Sequence, residues 1–332
     1  MKKILVLGGS GFVGHHLCEA LNRLQYRVTV PTRRLPARSI QTLPFVDVVQ
    51  ANVYDEKVLQ ALVQDQDVVI NLVAILHGSA EAFEHTHVQL ASQVAKACAK
   101  INSAHFEHEA HQGSGSESQT DPRMRPIHFL QMSALGADHE AFKSAPSLYL
   151  KSKGEAENAI IGICQASKTP LSILRPSVIF GADDQFINLF ASLQKIFPVV
   201  PLGCADARFQ PIWVQDVVSA MVACIQGTQH LSGRESNPEI FELGGPDVFT
   251  LQGLVHLAGR FVGHERPVWP LPLPLAKLQA FFMEHLPGKT LMSLDNVASM
   301  QIPNILSGKY PGLKALGLTS PKSISSTFMP SA

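Results

Sequence analysis

Lys3-Ile4-Leu5-Val6-Leu7-Gly8-Gly9-Ser10-Gly11-Phe12-Val13-Gly14 is the stretch that decides the fold. Ile4 to Leu7 is a short apolar run of the kind that forms a buried parallel strand. It runs straight into a glycine turn that opens a helix, with apolar residues at Val13, Leu17, Ala20, Leu21 and Leu24. Two glycine registers overlap, Gly9-x-Gly11-x-x-Gly14 and Gly8-x-x-Gly11-x-x-Gly14. Glycines permit the tight turn and let the backbone approach a diphosphate, while the helix N-terminus offers N–H donors and the positive end of its dipole. The competing reading is a glycine-rich strand-to-helix turn with no ligand. The strand before and the helix after it favour the anion cradle.

Outward from this turn, strand and helix patterns alternate. Strands are expected at Tyr26 to Val30, Val46 to Gln50, Asp67 to Leu76, Ile127 to Met132 and Leu171 to Leu174. Helices are expected at Glu56 to Val63, His85 to Lys100 and Tyr149 to Ala166. Such alternation predicts an α/β fold: a Rossmann-type doubly wound parallel sheet with right-handed crossovers and helices on both faces. Residues 103–125 break the rhythm with a polar Gly/Ser/Pro stretch and read as a surface insertion. Pro211 to Ile225 and Ile240 to Leu243 read as a helix and strand returning to the sheet. The expected division is therefore a nucleotide-binding domain from 1–181 plus 212–245, and a smaller discontinuous C-terminal lobe from 182–211 plus 246–332.

In the dinucleotide fold an acid about 20 residues beyond the glycines holds the ribose 2′-hydroxyl of NAD. Here strand two ends Val30-Pro31-Thr32-Arg33-Arg34, and no acid occurs between Glu19 and Asp47. Two guanidiniums suit an extra 2′-phosphate, which favours NADP(H) over NAD(H). The competing reading is a pair of solvated arginines. After strand five, Ser133 precedes Tyr149 and Lys153, which are i and i+4 on one helix face. An ammonium beside a phenol lowers its pKa, so Tyr149 is a candidate acid/base, Lys153 its modulator and Ser133 a group that orients substrate. The competing reading is surface packing alone.

The 332 residues carry 27 Lys+Arg against 27 Asp+Glu, a balance that argues against a nucleic-acid partner. The five cysteines, at 18, 98, 164, 204 and 224, are widely spaced, which reads as a reducing compartment with no metal site. His105, His108 and His111 read as a solvated loop. No apolar run reaches about 18 residues, so the default expectation is a soluble cytoplasmic protein, with peripheral contact at the inner face of a membrane left open. Leu275, Leu278, Phe281, Phe282 and Leu286 recur at helical spacing after Arg266-Pro267-Val268-Trp269. They read as a core-facing stripe, with docking on a membrane or larger complex as the sharper alternative. Asp216 reads as an acid near a helix N-terminus.

Together, GGSGFVG, DVVINLVAIL, the Tyr149/Lys153 pair, LRPSVIFG (174–181), FQPIWVQDVV (209–218) and FELGGP (241–246) resemble the extended or atypical short-chain dehydrogenase/reductase superfamily. More narrowly, THVQLASQVAKAC, SALGA (133–137), PVVPLG and LMSLDNVASMQIPN (291–304) resemble the alpha-subcomplex subunit 9 family of respiratory NADH:ubiquinone oxidoreductase (complex I) and its bacterial relatives, often described as NAD-dependent epimerase/dehydratase. The resemblance implies a dinucleotide whose diphosphate lies on Gly8, Ser10, Gly11, Phe12, Val13 and Gly14, with Arg33 and Arg34 near the adenosine ribose. It places Asn52 and Val53 near the adenine, and Leu72, Val73 and Ala74 under the nicotinamide ribose. Lys153 would hold ribose hydroxyls, and Pro176, Ser177 and Val178 would border the nicotinamide. Asn52 stands where the family carries an acid. The implied activity is that of an NADP(H)-dependent oxidoreductase or epimerase-like enzyme linked to quinone metabolism, with an unidentified small-molecule substrate. The alternatives are a non-catalytic accessory or assembly factor of a respiratory complex, and a nucleotide-sugar epimerase/dehydratase.

Overall fold

The computed structural model describes residues 1–34, 40–111, 126–227, 238–285 and 292–328, with side chains of 105–111 and of 328 left aside. In chain order the elements are β1 (Lys3–Leu7), α1 (Phe12–Arg23), β2 (Arg27–Thr32), β3 (Val46–Gln50), α2 (Glu56–Val63), β4 (Val68–Asn71), α3 (Ala80–Phe83), α4 (Leu90–His111), β5 (His128–Met132), α5 (Leu148–Ala166) and β6 (Leu171–Pro176). They continue with β7 (Ile179–Phe180), α6 (Ile187–Ile196), β8 (Val200–Gly203), β9 (Arg208–Phe209), β10 (Ile212–Trp213), α7 (Val214–Gly227) and β11 (Glu239–Leu243). Last come β12 (Phe249–Thr250), α8 (Leu251–Phe261), β13 (Val268–Leu271), α9 (Leu273–His285), α10 (Leu294–Ser299) and α11 (Ile324–Phe328).

Seven strands form one parallel sheet in the order β11-β6-β5-β4-β1-β2-β3. β1 and β4 to β6 are apolar on both faces because helices cover both sides. α1 and α7 bury Leu17, Leu21, Val217 and Met221 against one face; α2, α4 and α5 bury Leu59, Val94 and Ile160 against the other. A third apolar cluster, with Phe180, Ile187, Leu202, Leu254 and Val255, lies among α6, α8 and the short strands beyond the sheet. Strand order reverses between β1 and β4, and ligands of open α/β sheets bind at the carboxyl edge of such a switch point.

Three expected elements differ. The strand expected over Asp67 to Leu76 ends at Asn71. Its partner β1 stops at Leu7, and Leu72 N–H makes the last bond across, to Leu7 O at 2.9 Å. The insertion expected from 103 begins later, because the backbone stays helical through His111. Ala104, Glu107, Glu109 and Ala110 favour helix, and the first glycine is Gly113; residues 112–125 lie outside the described residues. The helix expected from Pro211 starts at Val214, since Ile212 and Trp213 pair with Ile179 and Phe180 as strands.

The apolar stripe on α9 is not core-facing. Leu275, Leu278, Phe281 and Phe282 are exposed, and Ala276 and Ala280 are the buried residues. α9 sits so close to β8 that a Cβ on Gly203 would stand 2.5 Å from Ala276 Cβ. Only small side chains fit that seam, so the large apolar ones point outward. Leu286 lies outside the described residues.

Candidate functional site

The first turn is built for close approach. Gly8 adopts φ +82°, a left-handed conformation that favours glycine, and a Cβ there would press on the Leu72–Val73 backbone at 3.2 Å. A Cβ on Gly14 would meet Gly8 O at 2.3 Å, so α1 packs directly on the turn. Gly11 is the N-cap residue of α1, extended at φ −81° and ψ 178°, and no side chain caps the helix. Its own N–H turns back to Gly8 O at 3.0 Å. Ser10 and Gly11 are exposed; Phe12 and Val13 are half-buried at the helix start. An anion set above Gly11 would meet an uncapped helix N-terminus, so the cradle fits a diphosphate.

Around this turn the other expected contacts line the same sheet edge. Leu72, Val73 and Ala74 follow β4, and Val73 N–H is held by Asn71 Oδ1 at 3.2 Å. Arg33 and Arg34 are exposed just beyond β2. Asn52 and Val53 follow β3 by two and three positions; Asn52 Oδ1 accepts from Tyr54 N–H at 3.2 Å, an Asx turn leading into α2. Pro176 ends β6. The Ser177 hydroxyl is turned away to Asn304 Oδ1 at 2.6 Å, and the same oxygen accepts from Val178 N–H at 3.0 Å.

Lys153 reaches the end of β5, and Tyr149 lies one turn before it on α5. Lys153, 3% exposed, donates from Nζ to Met132 O at 3.3 Å, beside Ser133 in the chain. Ser133 Oγ is buried without a hydrogen-bond partner among the described residues. Beneath it, Asn71 Nδ2 donates to Gln131 Oε1 at 3.0 Å and Gln131 Nε2 donates to Met132 O at 2.8 Å. This buried amide relay locks the ends of β4 and β5 together.

At Tyr149 desolvation, rather than the Lys153 ammonium, sets the direction of the shift. Burial pushes Tyr149 up to about 12. Burial also brings Lys153 down to about 8, with the Glu157 carboxylate pulling the other way. The ammonium lies 5.9 Å from the ring centroid and is directed at Met132 O, so its field falls on that carbonyl. Tyr149 is thus protonated at neutral pH.

Six residues that the sequence reading did not single out frame the site. His87 Nε2 accepts from Ile75 N–H at 3.1 Å, so its proton sits on Nδ1, 2.8 Å from Ser152 Oγ. Ser152 Oγ in turn donates to Tyr149 O at 2.9 Å. Burial, reinforced by the Lys153 ammonium, drives the imidazole down to about 2. The His87 ring meets the Tyr149 ring edge-on at 5.6 Å, with Phe83 at 6.3 Å on the same side. Asp295 accepts from the N–H groups of Leu148 and Tyr149 at the start of α5. Glu157, one turn past Lys153, is clamped by Arg175 through contacts of 2.9 and 2.5 Å. One signal was available: His87 lies on the helix face of Ala91, Val94 and Cys98.

A parallel sheet with a glycine cradle at its switch point defines a Rossmann-type α/β fold. The chain belongs to the NAD dependent epimerase/dehydratase family, whose sequence profile matches residues 4–244. It is 26% identical over 325 residues to NADH dehydrogenase (ubiquinone) 1 alpha subcomplex subunit 9, mitochondrial, of Arabidopsis thaliana, covering 91% of this chain and 70% of that protein. It is 23% identical over 278 residues to the ceramide reductase of Caulobacter vibrioides, covering 76% of this chain and 77% of the reductase. The structure of UDP-glucuronic acid 4-epimerase from Bacillus cereus, solved with UDP-glucuronic acid and NAD, matches at TM-score 0.65 and 17% identity over 98% of this chain and 96% of that one.

Proposed function

We propose that this chain binds NADP(H) along the carboxyl edge of the sheet and reduces a carbonyl substrate. The uncapped helix N-terminus above Gly8, Gly11 and Gly14 supports the diphosphate site, and the exposed Arg33–Arg34 pair supports the 2′-phosphate. When bound, the reduced dinucleotide supplies a hydride. Tyr149 gives its phenolic proton to the substrate oxygen, Ser133 Oγ holds that oxygen by a hydrogen bond, and Lys153 anchors ribose hydroxyls. The carrying observation is the Tyr149–Lys153 pair on one face of α5, with Lys153 Nζ reaching the end of β5 beside Ser133, whose buried hydroxyl has no hydrogen-bond partner among the described residues. Reduction is the chemistry named for the Caulobacter relative. We assign 182–211 plus 246–332 to the substrate-side lobe. NADPH consumption with a soluble quinone or a keto-lipid tests the reading. A rate that Tyr149→Phe abolishes supports it, and an undiminished rate removes the acid role.

A second reading, a nucleotide-binding accessory subunit without turnover, draws on the outward face of α9. Phe282 is 62% exposed and Trp269 68%, beside exposed Leu273, Leu275, Leu278 and Phe281. Exposed apolar patches of this kind mark docking sites. With Lys277 on the same helix and a tryptophan at its border, we assign this face to the surface of an anionic membrane. No described helix is long and apolar enough to cross one.

A further inference from the structure

The first helix carries His15 and His16 side by side and Glu19 one turn on. His15 Nε2 lies 3.2 Å from Glu19 Oε1, and His16 Nδ1 lies 3.7 Å from Glu19 Oε2. The three donor atoms fall within 4.8 Å of one another. Zinc–ligand bonds of about 2.0–2.1 Å in a tetrahedron put neighbouring donors about 3.3 Å apart, so the cluster is nearly closed around a cation already. A fourth donor comes from the facing helix. The Gln215 side-chain amide of α7 is 3.2 Å from His16 Nδ1, and a half-turn about its last bond brings Oε1 to the same place.

We propose that His15, His16 and Glu19, with Gln215 opposite, form a divalent-cation site of the zinc type that staples α1 to α7. Among the described residues the ion-pair partners of Glu19 are two imidazoles, and a bound cation would add positive charge beside its carboxylate. The far ring nitrogens, His15 Nδ1 and His16 Nε2, are dry and without hydrogen-bond partners. The polar contacts of both rings are therefore made through His15 Nε2 and His16 Nδ1, on the side of Glu19 and Gln215. Two imidazoles, a carboxylate and an amide oxygen suit zinc, whereas magnesium and calcium prefer all-oxygen sites. Glu19 is 37% exposed on its side chain and His15 25%, which leaves an entry path from solvent. The site is separate from the reaction center proposed above. It adjoins the cradle through His15 N–H, which donates to Gly11 O at 2.8 Å, and through the Phe12 ring, edge-on to His16 at 5.7 Å.

The test uses the full chain without a polyhistidine tag, stripped with EDTA and titrated with zinc chloride by calorimetry. One zinc per chain is expected, with His16→Gln and Glu19→Gln each weakening it more than about tenfold. The joint variant His105→Ala, His108→Ala, His111→Ala should keep the zinc, which separates the other histidine tract. Cobalt added to the unaltered chain should broaden the His15 and His16 imidazole resonances selectively, a readout that needs no variant to fold. Absence of zinc binding overturns the proposal. So does binding that survives Glu19→Gln but not the joint variant, or cobalt broadening that bypasses His15 and His16.

Discussion

Asp295 caps the helix that carries Tyr149 from 146 positions further along the chain: its Oδ2 accepts from Tyr149 N–H at 3.1 Å. Oδ1 takes Leu148 N–H at 2.6 Å, so one carboxylate holds two of the first free donors of α5. Ser147 caps the same turn through Leu150 N–H. The acid/base candidate is thus positioned by the C-terminal segment as well as by its own helix. Asp295→Ala should cost about 1–2 kcal/mol of stability by urea unfolding, with Asp295→Asn intermediate. A loss below about 0.3 kcal/mol would mean the cap is replaced by water.

His87 makes the fold acid-sensitive. Its pKa is lowered to about 2 in the fold, against about 6.5 unfolded. A depressed folded value means that its stabilisation is complete above the unfolded value and drains away as pH falls from about 6.5 toward 2. At pH 4.5 the loss is roughly 3 kcal/mol. His128, lowered to about 3, adds to the same trend. The specific measure is therefore the difference between the unaltered chain and His87→Gln across pH 7 to 4.5. The variant should start less stable and lose less on acidification; parallel curves would show that His87 protonates freely.

Lys153 acts in the opposite pH range. Its folded value near 8 lies below the ordinary 10.5, so the unfolded state holds more protons between the two. Stability should rise with pH across that window by up to roughly 3 kcal/mol relative to Lys153→Met. A flat difference curve would place the ammonium in solvent. Raised cysteine values, such as Cys18 at about 12, work against the rise, which is why the difference between chains is the quantity to measure.

The proposed 2′-phosphate contact rests on Arg33 and Arg34. Replacing both with alanine should weaken NADPH by about tenfold or more, the worth of a charge-assisted contact, and leave NADH nearly unchanged. Equal losses for the two coenzymes would remove the 2′-phosphate assignment.

The outward face of α9 should bind anionic lipid. Phe281→Glu with Phe282→Glu should abolish co-sedimentation with phosphatidylglycerol vesicles without lowering NADPH affinity. Sedimentation that is absent from the start, or unaffected by the pair, would reject the membrane assignment.

The legible part of this molecule was local. The strand-turn-helix of residues 3–14, the alternating elements and the Tyr149–Lys153 pair all lie within short windows whose periodicity reports burial. What escaped depends on distant partners. His87 is held by Ser152, 65 positions away, and Ser177 by Asn304, 127 positions away. Such pairings carry no signal in one sequence. The Tyr149 phenol escaped for another reason: spacing places Lys153 near the ring, but only the fold shows the ammonium aimed at Met132 O and both groups desolvated. On α9 the stripe pattern was correct and its direction was not, because the Ala276–Gly203 contact decides which side is inward.

The main-chain cradle at Gly8 to Gly14 is what the dinucleotide assignment rests on, and one substitution isolates it. Gly11 already has N-cap geometry, so aspartate there should cap α1 and keep the fold while setting a negative charge where a diphosphate would lie. Calorimetric titration of NADPH into the unaltered chain and into Gly11→Asp is the most direct test. Saturable binding of one NADPH per chain, lost in a variant of undiminished thermal stability, is the predicted result; no heat from the unaltered chain, or equal heat from both, contradicts it.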